Sequence, residues 1–499
     1  MKTYIRLVSA LAALAVLCGC ASCKTDSDDD SASAFVVWEP VADAVSYSIG
    51  MVTGGKSKAV VSEYRSAGSK TYYTWGDLTD GTEYTFSIYA TYADGTNNRT
   101  DGITRTVSAH TGGPCMRVMG YFLDSSHTVS EQNLHLAVTT DGLHWQSLNG
   151  NEPVFTLSTI GGNRVRDPYI VKKSDGSYLM IATDWTLYDA DASDLGYHRL
   201  YDGTTSEIAS WNYTTSSYWD VNTSCLIFAD SDDLITWSNE RQIQMVSDDD
   251  KQAFYDANAN YQFCWAPEII HNDGDVIFTD PETGDSYCYG VIWSGQGETN
   301  GTTSKSYNAK KNAYETTTGR STSYRRTFVN FTNDFETFSA PQVYFEPTPD
   351  AANPNSNIDA SVVKGYGSKY YIFFKDECSG YYGMGENYSK SLLPNSFNTN
   401  CIYGRGYNST QVQEAAGGTY NQGEGMFCFQ PYSGVNRWFC VLDAHDAGED
   451  KVFATFETSD FMVWKENDDT SWPDGDIRHG ASVEVTQDEL LSLIETFGF

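Results

Sequence analysis

Acidic residues stand at the head of four short apolar runs in this 499-residue sequence, and a histidine stands at the head of a fifth. These residues are Asp167, Glu268, Asp359, Glu424 and His479. A carboxylate can take a proton from water, and a carboxylic acid can give a proton to a leaving oxygen. Two such groups that meet at one place can therefore carry out general acid–base hydrolysis. The residues are far apart in the sequence, so only the fold can bring them together.

Each apolar run is the first half of a predicted hairpin. After Asp167, residues 169–173 form one strand, Asp175 and Gly176 supply the turn, and residues 178–183 return. The same pattern follows the other four residues. The copies are too far apart to be neighbouring hairpins of one sheet and suit four-stranded units with insertions. The sequence therefore predicts an all-β fold with five propeller blades. Residues 117–123 and 134–139 have no leading residue of their own and the last copy lacks a full set of outer strands, so we expect these N-terminal strands to complete the last blade and close the ring.

A second repeat supports the count of blades. An Asp precedes an aromatic residue by four positions at Asp141 and Trp145, Asp233 and Trp237, Asp334 and Phe338, and Asp460 and Trp464. An Asp that hydrogen-bonds its own backbone opens a turn, and the aromatic side chain can then pack between neighbouring sheets. A further copy is expected at residues 389–397, where only Ser391, Leu392 and Leu393 are found.

The composition favours a neutral ligand. The chain has 66 acidic and 32 basic residues, a net charge of −34, and this charge would repel the phosphate backbone of nucleic acids. The 34 tyrosines and 12 tryptophans suit antiparallel sheet and the stacking of sugars. A glycan is the expected partner, and nucleic acid is not. Acidity that only keeps a secreted protein soluble is the alternative explanation.

Apart from Cys20-Ala21-Ser22-Cys23 near the N-terminus, the eleven cysteines include no CxxC pair, so they predict no zinc framework. Cleavage before Cys20 would leave nine others, an odd number. Four of them lie in predicted strands, where we expect free, buried thiols: Cys264, Cys288, Cys428 and Cys440.

The first residues indicate export. Lys2 and Arg6 precede an apolar stretch at residues 7–17 that is too short to span a membrane as a mature helix. The following Leu17-Cys18-Gly19-Cys20 resembles a bacterial lipobox, which implies a signal peptide at residues 1–19 and a lipid on Cys20. Residues 20–33 form an acidic segment that is predicted to be a disordered tether. This segment resembles the surface-export signal of Bacteroidota lipoproteins. The expected location is the outer membrane, exposed on the cell surface.

Residues 34–112 alternate like the strands of a small β-sandwich. Residues 78–84, Leu-Thr-Asp-Gly-Thr-Glu-Tyr, resemble the tyrosine corner of fibronectin type III modules, and Trp38-Glu39-Pro40 resembles their second strand. No separate first strand is evident, so the sandwich is expected to be truncated. The expected role is that of a spacer or accessory domain, and specific glycan binding is the alternative.

Residues 115–499 resemble glycoside hydrolase family 43, whose fold is a five-bladed β-propeller with its active site on the axis. The motifs that carry the resemblance are Arg166-Asp167-Pro168, Trp265-Ala266-Pro267-Glu268, Ile358-Asp359-Ala360-Ser361, Gly423-Glu424-Gly425, residues 438–443 and Arg478-His479-Gly480. Inversion at a glycosidic carbon needs a base and an acid about 6.5–9.5 Å apart, with water between them. Inner strands of different blades can supply that gap.

The resemblance implies a role for each carboxylate. Asp167 would be the general base and Glu424 the general acid. Asp359 would orient Glu424 and raise its pKa, because a nearby anion disfavours a second one.

Four further residues are expected at the site. Glu268 competes with Glu424 for the acid role, and the resemblance assigns it to substrate binding. Trp265 could stack on a sugar or pack in its blade. Arg166 faces away from Asp167 in a regular strand, and an irregular strand could return it to the site. His479 resembles an axial histidine that binds a water or a structural Ca²⁺, or it is a hydrogen-bonded structural residue; the reaction requires no cofactor.

The sequence therefore predicts an inverting glycosidase for plant-type polysaccharide or oligosaccharide side chains, with α-L-arabinofuranosidase activity expected first. β-Xylosidase, endo-arabinanase and galactofuranosidase activities are alternatives, because residues 189–218 and 298–326 are expected to wall the pocket and their specificity cannot be read. A fructan-active enzyme would need an upstream Asn-Asp-Pro-Asn-type nucleophile, which residues 119–124 lack. The alternative of another class is a non-catalytic glycan-binding protein on the cell surface.

Overall fold

The computed structural model describes residues 31–499 except 54–59, 62, 126–129, 159, 161–162, 188–196, 200–204, 208–219, 248–263, 297–302, 319–324, 347–356, 379–380, 398–421, 433–434 and 446–451. The predicted signal peptide, Cys20 and most of the predicted tether lie outside the described residues. Among the residues described, no helix combines the length and apolarity needed to cross a membrane.

Seven strands form an N-terminal module. They are β1 (Ala32–Val37), β2 (Ala44–Thr53), β3 (Val60–Val61), β4 (Arg65–Gly68), β5 (Tyr72–Leu78), β6 (Glu83–Tyr92) and β7 (Ile103–Ser108). Strands β1 and β5 pair in one sheet, and the second sheet has the order β3-β2-β6-β7 with β4 also paired to β2. Trp38, Ile49 and Phe86 are buried in a core that both sheets share. The hydroxyl of Tyr84 accepts a hydrogen bond of 3.1 Å from the amide of Thr79, as a tyrosine corner requires.

The next strands belong to a larger ring of sheets. In chain order they are β8 (Arg117–Leu123), β9 (His135–Thr139), β10 (Gln146–Ser147), β11 (Arg166–Lys172), β12 (Tyr178–Leu187), β13 (Tyr197–Arg199), β14 (Thr205–Glu207), β15 (Asp220–Ser231), β16 (Trp237–Gln244), β17 (Trp265–His271), β18 (Phe278–Thr279), β19 (Ser286–Tyr287), β20 (Tyr289–Gln296), β21 (Thr303–Asn308) and β22 (Ala313–Thr318). The remaining strands are β23 (Arg325–Thr332), β24 (Gln342–Phe345), β25 (Asn357–Lys364), β26 (Tyr370–Cys378), β27 (Tyr381–Ser389), β28 (Gln422–Phe429), β29 (Trp438–His445), β30 (Val452–Thr458), β31 (Lys465–Glu466) and β32 (Ile477–Glu484), and the α-helix α1 (Gln487–Phe497) follows them.

Most of these strands form five antiparallel blades, and β13–β14, β18–β19 and β21–β22 pair as separate two-stranded sheets. Blade one is β11-β12-β15-β16, blade two is β17-β20-β23-β24, blade three is β25-β26-β27 and blade four is β28-β29-β30-β31. Blade five joins the two ends of the propeller chain, because β32 pairs with β8 in the order β32-β8-β9-β10. The inner strands contact one another in the cyclic order β11, β17, β25, β28, β32 and back to β11. The predicted five-bladed propeller, closed by its N-terminal strands, is confirmed.

Apolar side chains fill the space between blades. Five clusters occupy the five junctions, and the cluster between blades five and one also takes in helix α1 and strand β1. Fully burying one large apolar side chain stabilises a fold by about 1.5–3 kcal/mol, so these junctions hold the ring together. The four cysteines predicted to be buried free thiols are free: Cys264 and Cys440 are buried, and Cys288 and Cys428 are partly buried.

The four predicted Asp turns are present. Oδ1 of each Asp accepts the amides two and three residues later, at 2.7–3.0 Å: Asp141, Asp233, Asp334 and Asp460. The aromatic residue that follows packs against a neighbouring blade, as the ring of Trp464 does at 5.8 Å from that of Phe373. At the weak copy in blade three, Ser391 occupies the position of the Asp, and its hydroxyl accepts the amide of Leu393, two residues later, at 3.1 Å.

Candidate active site

Each inner strand is interrupted at the same point by a β-bulge. The pairing register shifts between Arg166 and Tyr169, Trp265 and Glu268, Ile358 and Ser361, Glu424 and Phe427, and Arg478 and Ala481. The first residue inside each bulge has a left-handed backbone: Asp167 (φ 49°), Ala266 (43°), Asp359 (55°), Gly425 (57°) and His479 (37°). Outside glycine this conformation costs about 1–3 kcal/mol and is concentrated at functional sites. The repeated strain therefore points to the axis as the site.

The bulges change which residues are equivalent. Asp167, Asp359 and His479 occupy one shared position in three blades, as the sequence predicts. Glu424 lies one residue before that position, and Glu268 lies two residues after its own bulge residue, Ala266. The expectation that all five residues share one position is therefore wrong for Glu268 and Glu424. A bulge adds a residue and breaks strand alternation, so the sequence pattern alone does not reveal this offset.

The imidazole of His479 lies between the three predicted catalytic carboxylates. Its Nδ1 is 3.4 Å from Oδ1 of Asp167. Its Nε2 is 3.8 Å from Oδ2 of Asp359 and 3.8 Å from Oε1 of Glu424. The structure therefore brings Asp167, Asp359 and Glu424 together, with Asp167 on one side of the ring and the other two on the opposite side.

These residues surround a pocket on the axis. Its lining includes Asp167, Glu268, Asp359, Gly425 and His479. Glu424 reaches His479 from the strand position beside Gly425 and is itself 7% exposed. Asp167 and Asp359 therefore line one cavity, and Glu424 lies behind its lining residues Gly425 and His479.

Glu424 is held between two cations. Arg478 Nη2 donates to Oε1 and Lys375 Nζ donates to Oε2. Burial opposes ionisation of Glu424, but the charge of Arg478 and then that of Lys375 outweigh it and hold its pKa well below the usual range. The prediction that Asp359 keeps Glu424 protonated near neutrality is therefore wrong for the free protein. The two cations come from other blades, and their charges outweigh those of the neighbouring Asp359 and Asp443.

Asp359 shows the opposite shift. Burial raises its pKa to about 7, and the charges of Glu424 and Asp167 raise it while those of His479 and Lys375 lower it. Its amide donates to the hydroxyl of Ser294 at 2.8 Å, which fixes the backbone at the bulge. Within the part of the chain described, Oδ2 of Asp359 has no hydrogen-bond partner. Near neutral pH a proton is therefore held more readily by Asp359 than by Glu424.

His479 is positively charged in this setting. Burial alone would lower the pKa of His479, but Asp167, Asp359 and Glu424 raise it to about 9. An imidazolium among three carboxylates offsets their mutual repulsion.

Contacts between successive blades hold this arrangement in place. In each blade, the inner-strand residue just before the bulge pairs with a residue on the second strand. The side chain of that second-strand residue contacts the inner strand of the next blade. The five contacts are Thr183 to Ala266, Ser294 to Asp359, Lys375 to Glu424, Asp443 to Arg478 and Phe122 to Arg166. Ser294 binds the backbone of Asp359, Lys375 binds the carboxylate of Glu424, and Asp443 binds the guanidinium of Arg478. One structural position therefore serves positioning in all five blades.

Sequence reasoning assigned no role to Lys375, Asp443 or Arg478. Asp443 is fully buried and binds Nε of Arg478, and Asp124 lies 3.5 Å from Nη1 of the same guanidinium. Charged residues inside otherwise apolar strands are a usable signal for such a network, because they are rarely buried without a partner.

The predicted substrate-binding residues lie around the central three. The guanidinium of Arg166 is 3.2 Å from Asp124 and lies over the ring of Phe122 at 4.8 Å. Trp265 is partly buried, with the guanidinium of Arg325 5.2 Å from its ring. The bulge does not turn Arg166 onto Asp167. Sugar contacts by Arg166 and Trp265 stay predictions.

Glu268 sits deeper along the axis. Oε2 accepts the amide of Val362 at 3.1 Å. Burial raises the pKa of Glu268 to about 8, while hydrogen bonds from Ser361 and Val362 lower it. Glu268 is therefore a neutral carboxylic acid near pH 7, suited to hydrogen bonding with hydroxyl groups.

The axial residues were tested against the predicted Ca²⁺. Ligand atoms of Asp359, Glu424 and His479 lie within 4.8 Å of one another. Ca²⁺ requires six to eight oxygen ligands, whereas this group offers a ring nitrogen of His479 and the carboxylate oxygens of Asp359 and Glu424, and Glu424 is already bound by Arg478 and Lys375. The residues present do not fit a Ca²⁺ ion.

Comparison with known proteins agrees with the site. A family model described as "Probable glycosyl hydrolase domain", of the type related to glycoside hydrolase family 43, matches residues 115–490. No curated protein matches the chain.

Similar solved structures include three carbohydrate-active enzymes. An endo-arabinase from Bacteroides thetaiotaomicron VPI-5482 has 11% identity and a TM-score of 0.35, covering 61% of this chain and 80% of that one. An α-L-arabinofuranosidase from Clostridium thermocellum ATCC 27405 has 13% identity and a TM-score of 0.35, covering 81% and 92%. A GH43 β-1,3-galactosidase has 11% identity and a TM-score of 0.32, covering 63% of this chain and 48% of that one. Similarity at this level carries no argument about the sugar that is cleaved.

Proposed function

Because the chain belongs to the family of probable glycosyl hydrolase domains related to glycoside hydrolase family 43, we propose that it is an inverting glycosidase, with α-L-arabinofuranosidase activity on plant-type polysaccharide or oligosaccharide side chains. The family implies a carbohydrate substrate. The single observation that carries the proposal is the placement of Asp167 on one nitrogen of His479 and of Asp359 and Glu424 on the other.

This placement supports an inverting rather than a retaining reaction. Asp167, the candidate base, contacts one nitrogen of the His479 ring, and the candidate acids Asp359 and Glu424 contact the other nitrogen. The ring therefore lies between the base and the acids. Inverting glycosidases keep their two carboxyl groups about 6.5–9.5 Å apart so that a water fits beside the sugar. Asp167 would take a proton from that water while its oxygen bonds to the anomeric carbon. The bond from that carbon to the leaving oxygen breaks, and an acid on the other side protonates the leaving oxygen.

The acid comes from the pair Asp359 and Glu424. The family resemblance assigns proton donation to Glu424. In the free protein the charges favour a proton on Asp359, whose pKa is raised to about 7, and an ionised Glu424. Donation by Glu424 would therefore require the bound sugar to weaken its contact with Arg478 or Lys375. Donation by Asp359 would require no such change.

Leaving-group dependence distinguishes the two acids. Aryl arabinofuranosides with good leaving groups need little acid catalysis, whereas arabino-oligosaccharides need it fully. If Glu424 is the acid, Glu424→Gln retains aryl hydrolysis and loses oligosaccharide hydrolysis, and Asp359→Asn slows both substrates. The reverse pattern assigns the proton to Asp359.

Asp167 provides the test of the reaction class. Asp167→Asn should lose most turnover of both substrates and keep the folded β-sheet spectrum, and NMR of the wild-type product should show the inverted anomer first. Wild-type rates from Asp167→Asn, or a retained anomer, would contradict the proposal.

The other sugars of the same proposal are distinguished by a substrate panel. Hairpins β13–β14 and β21–β22 are the described parts of the segments predicted to wall the pocket. Aryl xylosides, linear arabinan and aryl galactofuranosides test the β-xylosidase, endo-arabinanase and galactofuranosidase alternatives. The substrate with the highest kcat/KM identifies the activity.

One observation favours a glycan-binding protein instead. The salt bridges from Arg478 and Lys375 keep Glu424, the predicted proton donor, in its ionised form, which a site without catalysis can tolerate. In that case the protein binds arabinan or arabinoxylan and turns over neither the polysaccharides nor the aryl glycosides. Turnover by the wild type that Asp167→Asn removes would exclude this alternative.

The cell-surface location is part of the proposal. A lipid on Cys20 would anchor the propeller to the outer membrane through the acidic tether, where extracellular polysaccharide is met. The fibronectin type III-like module would act as the spacer. Labelled palmitate should enter the wild type and not Cys20→Ala, which should be recovered in the soluble fraction.

A further inference from the structure

A second cluster of ionisable side chains lies where the N-terminal module meets the propeller. Glu83 opens β6 of the module, His144 lies in the Asp turn between β9 and β10 of blade five, and Asp469 lies between β31 and β32. One ligand atom from each of the three lies within 4.8 Å of the other two. The cluster is separate from the axial pocket and has no role in the proposed hydrolysis.

The position of His144 is set by a carboxylate behind it. Asp141 is buried, and its Oδ2 lies 2.7 Å from Nδ1 of His144. Oδ1 of Asp141 accepts the amides of Leu143 and His144, and Oδ2 also accepts the amide of Ser108. An ionised carboxylate only accepts hydrogen bonds, so Nδ1 of His144 carries a hydrogen. Metal-binding histidines usually donate this second ring N–H to a carboxylate in the same way.

The opposite nitrogen faces two further carboxylates. Nε2 of His144 is 3.3 Å from Oε2 of Glu83 and 3.7 Å from Oδ1 of Asp469. A direct hydrogen bond between an imidazolium and a carboxylate is shorter, about 2.7–2.9 Å. Two ligand atoms bound at about 2.0–2.2 Å to a tetrahedral Zn²⁺ lie roughly 3.4 Å apart. The 3.3 Å spacing fits either a long hydrogen bond or two ligands of a shared ion, whereas the 3.7 Å spacing is too long for a hydrogen bond.

We propose that Glu83, His144 and Asp469 form a binding site for a divalent ion of the Zn²⁺ class that joins the N-terminal module to the propeller. Asp141 orients His144 and touches no ion. The side chain of His144 is 5% exposed, whereas those of Glu83 and Asp469 are 44% and 36% exposed. Solvent therefore reaches the site, and water completes the coordination. The ligands come from three separate segments, so the bound ion would restrain the module against blade five.

The test is a Zn²⁺ titration of the full chain after removal of metal by a chelator. The wild type should bind one equivalent, and its unfolding temperature should rise with Zn²⁺. Glu83→Gln and His144→Gln should each weaken binding by about tenfold or more, since one lost ligand typically costs at least that much. Because Glu83 is exposed, Glu83→Gln is expected to fold even if His144→Gln does not.

Two controls separate this site from other metal ligands. Glu63→Gln removes an exposed carboxylate of the same module and should bind Zn²⁺ like the wild type. His479→Gln should also retain binding, which distinguishes the site from the axial residues. The protein loaded with Co²⁺ in place of Zn²⁺ should show no thiolate-to-metal absorption band, which would exclude the free cysteines as ligands of the ion.

Two results would overturn the inference. One is the absence of saturable Zn²⁺ binding by the wild type. The other is equal affinity in the wild type and in Glu83→Gln.

Discussion

The hydroxyl of Thr183 donates a hydrogen bond of 2.6 Å to Oδ2 of Asp167 and accepts the amide of Ala266 at 2.9 Å. Thr183 thus connects the candidate base of blade one to the bulge of blade two. The hydroxyl has one hydrogen, which Asp167 accepts, so its direction is determined. A single buried side chain therefore sets both the orientation of the carboxylate and the spacing of two blades.

Replacing this hydroxyl should slow catalysis. Thr183→Val keeps the shape and removes the hydrogen bond, which for a charged acceptor is worth about 1.5–3 kcal/mol. We expect kcat to fall roughly 10- to 100-fold with a smaller change in KM, and Thr183→Ser to restore most of it. Thr85→Val, which removes a hydroxyl bonded to Thr106 in the module, is the matched control. Equal kcat for Thr183→Val and Thr85→Val would show that Thr183 has no positioning role.

Glu268→Gln should weaken substrate binding more than it slows the reaction. Burial raises the pKa of Glu268 to about 8, so an amide resembles the neutral acid in charge and shape and can still accept the amide of Val362. We expect KM to rise by more than the factor by which kcat falls, measured on arabino-oligosaccharides. A loss of kcat larger than that of Glu424→Gln would identify Glu268 as the acid.

His479→Gln should lower stability in a pH-dependent way. The folded-state pKa of His479 is about 9, above the ordinary 6.5. The contribution of His479 to the stability of the fold is therefore complete below the ordinary histidine pKa and is lost as the pH rises through about 9. Thermal unfolding should show a lower Tm for the variant at about pH 6 and a narrower difference at about pH 10.

His271→Gln is the control for that measurement. Burial lowers the pKa of His271, so its loss should not produce a deficit at acidic pH. A constant difference between wild type and His479→Gln across the pH range would contradict the charged state of His479.

Glu489 links helix α1 to blade one. Its Oε1 accepts hydrogen bonds of 2.7 Å from Lys172 and Tyr178, and its Oε2 caps the helix through the amide of Thr486 at 2.7 Å. Burial works against ionisation, but Lys172, Thr486 and Tyr178 lower the pKa of Glu489 to about 2.

Glu489→Gln should therefore lower the free energy of unfolding by about 1 kcal/mol above the ordinary carboxyl pKa, a value reduced for solvent screening. The loss should vanish as the pH falls through about 2, because the wild-type group is then protonated as well. Urea unfolding gives the comparison, with the exposed Glu495→Gln of the same helix as control. Equal effects of the two variants would mean that the links to blade one contribute nothing.

Local features of the fold were predictable where the chemistry is local. The Asp turns follow from an Asp bonding amides two and three residues away, so Asp233 and Asp460 could be assigned without knowing the fold. The closing strands β8 and β9 were predictable because they had no leading residue of their own and blade five lacked outer strands.

The offset of Glu424 from Asp359 was not predictable in the same way. Both stand at the start of an apolar run, yet the bulge in β28 places Gly425 at the position equivalent to Asp359. A bulge depends on pairing with the next strand, which a pattern within one strand does not specify.

The sequence by itself determined that five similar hairpins follow one another, that each brings an ionisable residue to the start of its inner strand, and that N-terminal strands complete the last blade. Only the tertiary structure decided which carboxyl group holds a proton. Besides burial, the pKa of Asp359 depends on His479, Glu424 and Lys375, and that of Glu424 depends on Arg478, His479 and Lys375, all on other strands. Electrostatic interactions depend on distance through space, and distances between blades exist only after the ring has closed.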